Sequence, residues 1–165
     1  MYIALTRRGV IVLAALAAAS AAGFAVWALI DTDSKRIGRT IDAIEHAVEK
    51  GDSAGLRALM DPACRISGVE AEKFMPWYDA MRPAMRIKDV SQYDRTIKLD
   101  APDHATVTVL TFIVAEALPG EQRVDWRLEF RRHGKEEWKL LSARAFMPPP
   151  VGLEIPLRPT YDLLH

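Results

Sequence analysis

Residues 9–30 form an uninterrupted stretch without a single charged side chain. As an α-helix, this stretch would be about 33 Å long, close to the roughly 30 Å thickness of a bilayer's hydrocarbon core. A small soluble domain does not need a helix that is this long and apolar on every side. The stretch therefore predicts a transmembrane segment rather than a buried core helix.

The charges around this segment predict its orientation. Arg7 and Arg8 precede the stretch, and two aspartates follow it closely. Because flanking arginines stay on the cytoplasmic side of a membrane, residues 1–8 are expected in the cytoplasm. Residues 9–30 would then be a signal anchor in the cell (inner) membrane, with a single pass and the C-terminal domain outside the cytoplasm.

A cleaved signal peptide is the alternative. Small residues are frequent over 17–22 and suit a signal peptidase, and cleavage there would leave a secreted or periplasmic protein. The apolar run continues to Ile30, however, and Trp27 near its end suits the membrane interface. These residues favour the anchor.

Composition excludes several classes of function for the rest of the chain. The chain has 22 Lys and Arg residues in total and 22 Asp and Glu residues in total, so it has no net charge that would attract nucleic acid. Cys64 is the only cysteine, which excludes an intramolecular disulfide and a cysteine zinc site. We expect its thiol to be buried. The four histidines lack ligand spacing, and no glycine-rich phosphate loop is present, so neither metal nor cofactor is predicted.

Helical periodicity follows a polar linker at 31–36. Apolar residues at 37, 41, 44 and 48 would line one face of a helix that Gly51 ends. Asp52 or Ser53 would cap a second short helix, which the Asp61-Pro62 pair would end.

A third helix and a series of strands complete the domain. Cys64–Ile66 is predicted as a short strand, after which Ser67 and Glu70 have the spacing of a capping box for a helix that Arg82-Pro83 would close. The period then changes to two, and strands are predicted over 88–99, 105–117, 124–131 and 138–146.

These elements predict an α+β fold over residues 37–147, with three helices packed on an antiparallel sheet of about four strands. Residues 148–165 form a proline-containing tail. The tail would either pack back along its own domain or add as an edge strand to a neighbouring molecule.

Two motifs carry a family resemblance. The first helix ends in Glu49-Lys-Gly-Asp52 and is followed by Leu56 and Leu59, and the final hairpin contains Trp126–Phe130 and Trp138–Leu141. Over roughly residues 36–147 this order resembles the nuclear transport factor 2-like superfamily, with its cystatin-like (SnoaL-like) domains. The resemblance implies a cone of helices against a curved sheet. The superfamily includes isomerases, cyclases and dehydratases as well as non-catalytic modules.

The catalytic positions of the superfamily's enzymes are not matched here. Steroid isomerase-like members have a tyrosine where this chain has Ile44, and a catalytic aspartate near the position of Ser67 and Gly68. Dehydratase-like members pair an aspartate with a histidine, for which Asp79 and His104 are the only loose candidates. No catalytic residue is therefore predicted.

Six residues are predicted to form a site for a small apolar ligand in the cone: Trp77, Tyr78, Tyr93, Trp126, Asp125 and Arg144. The aromatic side chains suit an apolar pocket, or else they fill the cone as core. Arg144 would lie inside the cone, where a buried arginine needs a carboxylate partner such as Asp125.

Charged residues alternate along the predicted strand 124–131, namely Asp125, Arg127, Glu129 and Arg131. They predict either an ionic patch for a protein partner or homodimer, or a solvated face with cross-strand pairs. The main prediction is a membrane-anchored, exported, non-catalytic binding or scaffold domain. The alternative is a small pocket enzyme, of isomerase, cyclase or dehydratase type, with Glu70, Asp79 or Asp125 as its acid inside the cone.

Overall fold

The computed structural model of the chain describes residues 32–147 and 151–157. The expected anchor at 9–30 lies outside these residues. No helix within the described ranges has both the length and the hydropathy needed to cross a membrane.

Helix α1, Asp33–Lys50, carries the predicted apolar face. Ile37 and Ile41 are fully buried, and the remaining apolar positions pack partly against the same core. The helix begins at Asp33, so the last four residues of the expected linker are helical. Gly51 ends it at a φ of +66°, where a Cβ atom would also lie 1.5 Å from the Arg82 guanidinium carbon.

Helix α2, Ser53–Ala58, has the predicted cap, since the Asp52 carboxylate accepts a hydrogen bond from Gly55 N–H at 2.8 Å. The predicted end of this helix at Asp61-Pro62 is wrong. Both residues belong to strand β1, Met60–Ile66. The strand register shifts between Met60 and Arg65, so the missing N–H of Pro62 falls in an irregular part of the ladder.

Strand β2, Val69–Glu70, pairs with β1 and leads into helix α3, Ala71–Met85. The predicted capping box is wrong, because Ser67 and Gly68 instead form the β1–β2 turn at positive φ. Helix α3 also continues past Pro83 to a left-handed Arg86. Pro76 and Pro83 are both exposed, so water can reach the carbonyl groups that they leave unbonded.

The sheet is larger than predicted. Within the described residues it has seven strands, which continue with β3 Ile87–Ala101, β4 His104–Ala115, β5 Glu121–His133, β6 Glu137–Phe146 and β7 Glu154–Ile155. Its order is β2-β1-β6-β5-β4-β3, with β7 beside β6. The β1–β6 pairing is parallel and the others are antiparallel. The curved, unclosed sheet and three helices give the α+β cone expected from the resemblance.

We call the side of the sheet that packs against the helices the inner face and the opposite side the outer face. The inner face carries Val107, which pairs with Leu128 across β4 and β5, and Ala105, which pairs with Phe130. All four residues join the main core cluster. Between residues 93 and 96, β3 shifts register against β4, with Asp94 at a φ of +46°.

The described part of the tail, residues 151–157, packs back on its own domain. Ile155 pairs with Ala145 as an edge strand, and Leu157 packs partly against the core. This outcome is the first of the two predicted alternatives.

Candidate functional site

Three of the predicted ligand-binding residues lie between the sheet and the helices. Tyr78 is buried in the core, and Trp77 and Trp126 pack partly buried against the same core cluster. The Phe74 ring lies with its centroid 5.3 Å from that of Trp77 and 6.3 Å from that of Tyr78. The aromatic side chains therefore occupy the cone as packed core. Burial raises the pKa of Tyr78, against the neighbouring charge of Arg82.

The other three predicted residues lie on the outer face. Tyr93 pairs with Leu110, which pairs in turn with Asp125, and Arg144 pairs with Arg127. Arg144 is exposed, and no carboxylate in the described residues lies within 4.0 Å of it. The prediction that Arg144 lies inside the cone with Asp125 as its partner is therefore wrong.

A bulge in β6 explains the error. Glu129 pairs with Ser142 while Phe130 pairs with Leu140, so Leu141 is an extra residue in β6. Inward positions thus change from even to odd numbers along β6, and Arg144 turns outward. Without a bulge, the alternation that begins with the inward residues Trp138 and Leu140 would continue to Arg144 and place that residue inward.

Two depressions lie on the outer face rather than opening into the cone. The first has a volume of about 350 Å³ and is bordered by residues that include Asp94, Leu110, Arg123, Asp125, Arg127 and Phe146. The second has a volume of about 250 Å³ and is bordered by residues that include Arg65, Gly68, Glu129, Ser142 and Arg144. Both expose arginine and carboxylate groups together.

Four outward charges in the first part of β5 are not neutralised by neighbouring strands. Arg123, Asp125, Arg127 and Glu129 have no opposite charge within 4.0 Å among the residues that the structure describes. The guanidinium of Arg127 lies over the Phe146 ring at 4.8 Å instead. Of the four residues in the predicted row, Asp125, Arg127 and Glu129 therefore form no cross-strand ion pair. The fourth, Arg131, lies 3.6 Å from the Asp61 carboxylate.

Apolar groups border these charges. The Tyr93 ring is 54% exposed and meets Phe112 edge-on at a centroid distance of 5.2 Å. Met147, Val151 and Leu153 are also exposed near the end of β6. We call the combined surface the outer-face patch, and its residues are Tyr93, Phe112, Arg123, Asp125, Arg127, Glu129, Arg144 and Phe146.

A buried carboxylate that the sequence did not indicate lies at another part of the sheet. Asp61 is 3% exposed, with its Oδ2 atom 2.7 Å from His133 Nε2 and 3.6 Å from an Arg131 nitrogen. Its Oδ1 atom accepts a hydrogen bond from Ala63 N–H at 2.7 Å. Burial opposes ionisation, but these hydrogen bonds and charges outweigh burial and lower the pKa of Asp61.

A second carboxylate that sequence reasoning missed is Glu45 on α1. Burial raises the pKa of Glu45, and the nearby charges of Glu49 and Asp42 add to the effect. The carboxylate of Glu49 is itself used structurally, since it accepts a hydrogen bond from Val90 N–H at 3.2 Å.

The residues considered for catalysis lie apart from one another. Asp79 is exposed and accepts hydrogen bonds from Ser53 and Arg57, and Glu70 is exposed beside Lys73 at 2.8 Å. His104 was expected in a turn but begins β4. Together with the outward Asp125, these positions supply no acid inside the cone.

The single cysteine is buried as expected. Cys64 is 1% exposed, and burial, together with the charge of Asp61, raises its pKa to about 12. Within the described ranges, no group of three or more metal-ligating side chains is present.

Comparison with known proteins relates the chain to others by fold. No family model and no curated protein matches the sequence. Solved structures do match, as NTF2-like or cystatin-like proteins. An NTF2-like protein of unknown function in nutrient uptake from Rhodospirillum rubrum is 18% identical, with a TM-score of 0.57 over 68% of this chain and 98% of its own.

Two further structures show how varied these neighbours are. The S. rosetta CaMKII hub is 20% identical, with a TM-score of 0.59 over 71% of this chain and 98% of the hub. Bd1075 from Bdellovibrio bacteriovorus is 14% identical, with a TM-score of 0.60 over 69% of this chain and only 41% of Bd1075. Other neighbours carry isomerase or dehydratase names. At these identities the comparisons establish the NTF2-like fold alone.

Proposed function

We propose that the domain is a non-catalytic protein-binding module that acts through the outer-face patch. The observation that carries this proposal is the row of unpaired charges on β5 beside exposed aromatic rings. Several exposed carboxylates of the domain do form ion pairs, as Asp42 does with Arg95 at 2.7 Å and Asp79 does with Arg57 at 3.1 Å. Arginine and tyrosine are also the residue types that most often dominate protein interfaces.

The packed interior of the cone supports a binding surface on the outer face rather than a pocket in the cone. Trp77, Tyr78 and Trp126 pack as core, and both depressions described above lie on the other side of the sheet. A pocket enzyme needs an acid inside the cone, and neither Glu70 nor Asp79 is there. A small apolar ligand in the cone would have to displace packed side chains.

We also propose that residues 9–30 hold this module at the cell (inner) membrane with the domain outside the cytoplasm. The support is the uncharged stretch and the arginines before it. Protease added to intact spheroplasts should digest the domain and leave an N-terminal fragment in the membrane. A mature protein whose first residue lies within 17–25 would instead establish the cleaved form.

Site-specific photo-crosslinking tests the binding surface. A photoreactive phenylalanine at Tyr93 probes the outer-face patch, and the same group at Met81 on α3 is a matched control, since the two side chains are 54% and 41% exposed. We expect a discrete protein adduct from position 93 and not from position 81. Adducts from position 81 alone, or from neither position, would contradict the proposal.

A further inference from the structure

We infer that the protein bound by the outer-face patch contributes an acidic side chain, whose carboxylate binds between Arg65 and Arg144 in the second depression. The inference rests on the proposed function and names the chemistry of the group that the partner brings to this surface. Its basis is a pair of neighbouring arginines that the domain itself leaves without a carboxylate.

The register of the sheet brings the two arginines together. Arg65 on β1 pairs with Ser142 on β6, and Arg144 lies two residues further along β6 on the same face. Neighbouring strands are about 4.8 Å apart, and alternate residues of one strand are about 7 Å apart. Both long side chains can therefore reach one group that lies between them. Together with Ser142 they border the depression of about 250 Å³.

Neither arginine is neutralised within the domain. Both are exposed, and among the described residues no carboxylate lies within 4.0 Å of either guanidinium group. Glu70 on β2 is opposite Arg65 in the sheet, but its carboxylate is 2.8 Å from Lys73 instead. By contrast, Arg57 on α2 lies 3.1 Å from Asp79. The two guanidinium groups are therefore available to a carboxylate from outside the domain.

The charge around the depression favours a carboxylate over a doubly charged anion. Glu129 also borders the depression, where it pairs with Ser142 across the strands. Two arginines and one glutamate leave a single positive charge, which one carboxylate neutralises. A phosphate or sulfate dianion would leave an excess of negative charge beside Glu129. A planar carboxylate also matches the donor fork of a guanidinium group.

The position of the depression favours a carboxylate that belongs to a protein. Phe146 lies two residues beyond Arg144 on β6, and the Arg127 guanidinium lies over its ring in the first depression. The aromatic part of the outer-face patch thus begins directly beside Arg144. A protein surface that places an acidic side chain at Arg144 can cover these rings as well, whereas a small carboxylate would leave them exposed.

Titration of the full-length chain in non-ionic detergent micelles tests the carboxylate site. The probe is N-acetylglutamic acid α-amide, which has one side-chain carboxylate, and N-acetylglutamine amide is the neutral control. We expect the Nε–H NMR signals of Arg65 and Arg144 to shift saturably with the glutamate derivative alone. The signal of Arg57 should not shift, because Asp79 already occupies that guanidinium group.

One variant and one further anion make this titration specific. Arg144→Gln should weaken the binding measured at Arg65 at least about tenfold, because one of two hydrogen-bonded charges is lost. Sulfate at matched ionic strength should bind more weakly than the glutamate derivative, and Glu129→Gln should reduce this difference. The inference is overturned by the absence of a saturable shift at Arg65, by equal shifts at Arg57 or with the glutamine derivative, by unchanged binding in Arg144→Gln, or by tighter binding of sulfate.

Photo-crosslinking from position 93 tests whether the partner uses this site. Arg144→Gln should lower the yield of the protein adduct at least about tenfold, and Arg57→Gln, at an exposed ion pair on α2, should leave it unchanged. An adduct that persists in full in Arg144→Gln would overturn the inference and leave the proposed function intact. The absence of any adduct from the chain with both arginines would contradict the proposed function, and with it the protein partner inferred here.

Discussion

Arg127 on β5 and Arg144 on β6 lie directly opposite each other on the outer face, and neither has a carboxylate within 4.0 Å among the described residues. Like charges opposite each other in a sheet are destabilising. The isolated domain therefore keeps a repulsive pair on a face that could have carried an ion pair. The pair is explained if the face is covered by a partner that brings a carboxylate.

Replacing one member of this pair should stabilise the fold while weakening binding. Arg144→Glu places a carboxylate opposite Arg127 and should raise the free energy of unfolding by roughly 0.2–1 kcal/mol. Urea denaturation checks the gain. Arg123→Glu is the control, because its neighbour on β4 is Phe112, and it should produce no such gain. Equal effects of the two variants would argue against repulsion.

Asp61 should make the stability depend on acid pH. The pKa of Asp61 is lowered in the folded state, so ionised Asp61 stabilises the fold fully at pH values above the ordinary aspartate pKa of 3.8. This stabilisation is lost as the pH falls through the lower folded pKa. Asp61→Asn should cost about 1.5–3 kcal/mol at neutral pH, and the difference from wild type should shrink in strong acid.

A double-mutant cycle separates this contact from general packing. If the Asp61–His133 hydrogen bond carries much of the effect, Asp61→Asn and His133→Ala together should cost less than the sum of the single variants. Strict additivity would show that the two side chains act independently.

Glu45 should make the stability of the domain depend on pH in the opposite direction. The pKa of Glu45 is raised in the folded state, so its ionisation destabilises the fold as the pH rises from 4.5 through the higher folded pKa. Glu45→Gln should therefore stabilise the domain at neutral pH by roughly 0.2–0.5 kcal/mol, the scale of one like-charge pair with Glu49 on a helix. Thermal unfolding at pH 7 and pH 3 should show the gain only at pH 7. Glu72→Gln, at an exposed helical position, should show none.

Gly51 should tolerate alanine less well than another glycine of similar conformation. Both Gly51 and Gly134 have positive φ, at +66° and +64°, but only Gly51 has the Arg82 side chain in the space of a Cβ atom. Gly134→Ala should cost about 1–2 kcal/mol from its backbone conformation, and Gly51→Ala should cost more. Chemical denaturation of the two variants compares them directly, and equal costs would show that Arg82 moves aside freely.

Local patterns predicted much of this fold. The spacing of Ile37 and Ile41, the cap at Asp52 and the alternation along β5 all depend on neighbours in sequence, and all three formed as expected. The sequence prediction makes β1 too short, because Asp61-Pro62 is typical of a helix end, and it does not include the two-residue strands β2 and β7. The place of Asp61 in β1 is stabilised by contacts with residues 131 and 133, about 70 positions away.

The site was less predictable from the sequence, because it depends on how residues far apart in the chain are aligned in the sheet. Tyr93 and Arg144 are grouped with core aromatic residues because a strand's hydrophobic pattern shows neither the register shift after Tyr93 in β3 nor the bulge at Leu141 in β6. The charges on β5 were visible in the sequence, but the absence of nearby counter-charges at Arg127 depends on which residues β4 and β6 place beside it.

Methionine oxidation in native membranes tests most directly whether the outer face is covered. Met147 borders the first depression and is 45% exposed, and Met81 on α3 is 41% exposed, so the bare domain exposes the two residues to a similar degree. With dilute peroxide, Met147 should oxidise more slowly than Met81 in membranes, and the two rates should converge once the chain is denatured. Equal rates in membranes, or protection of Met81 instead, would contradict the account.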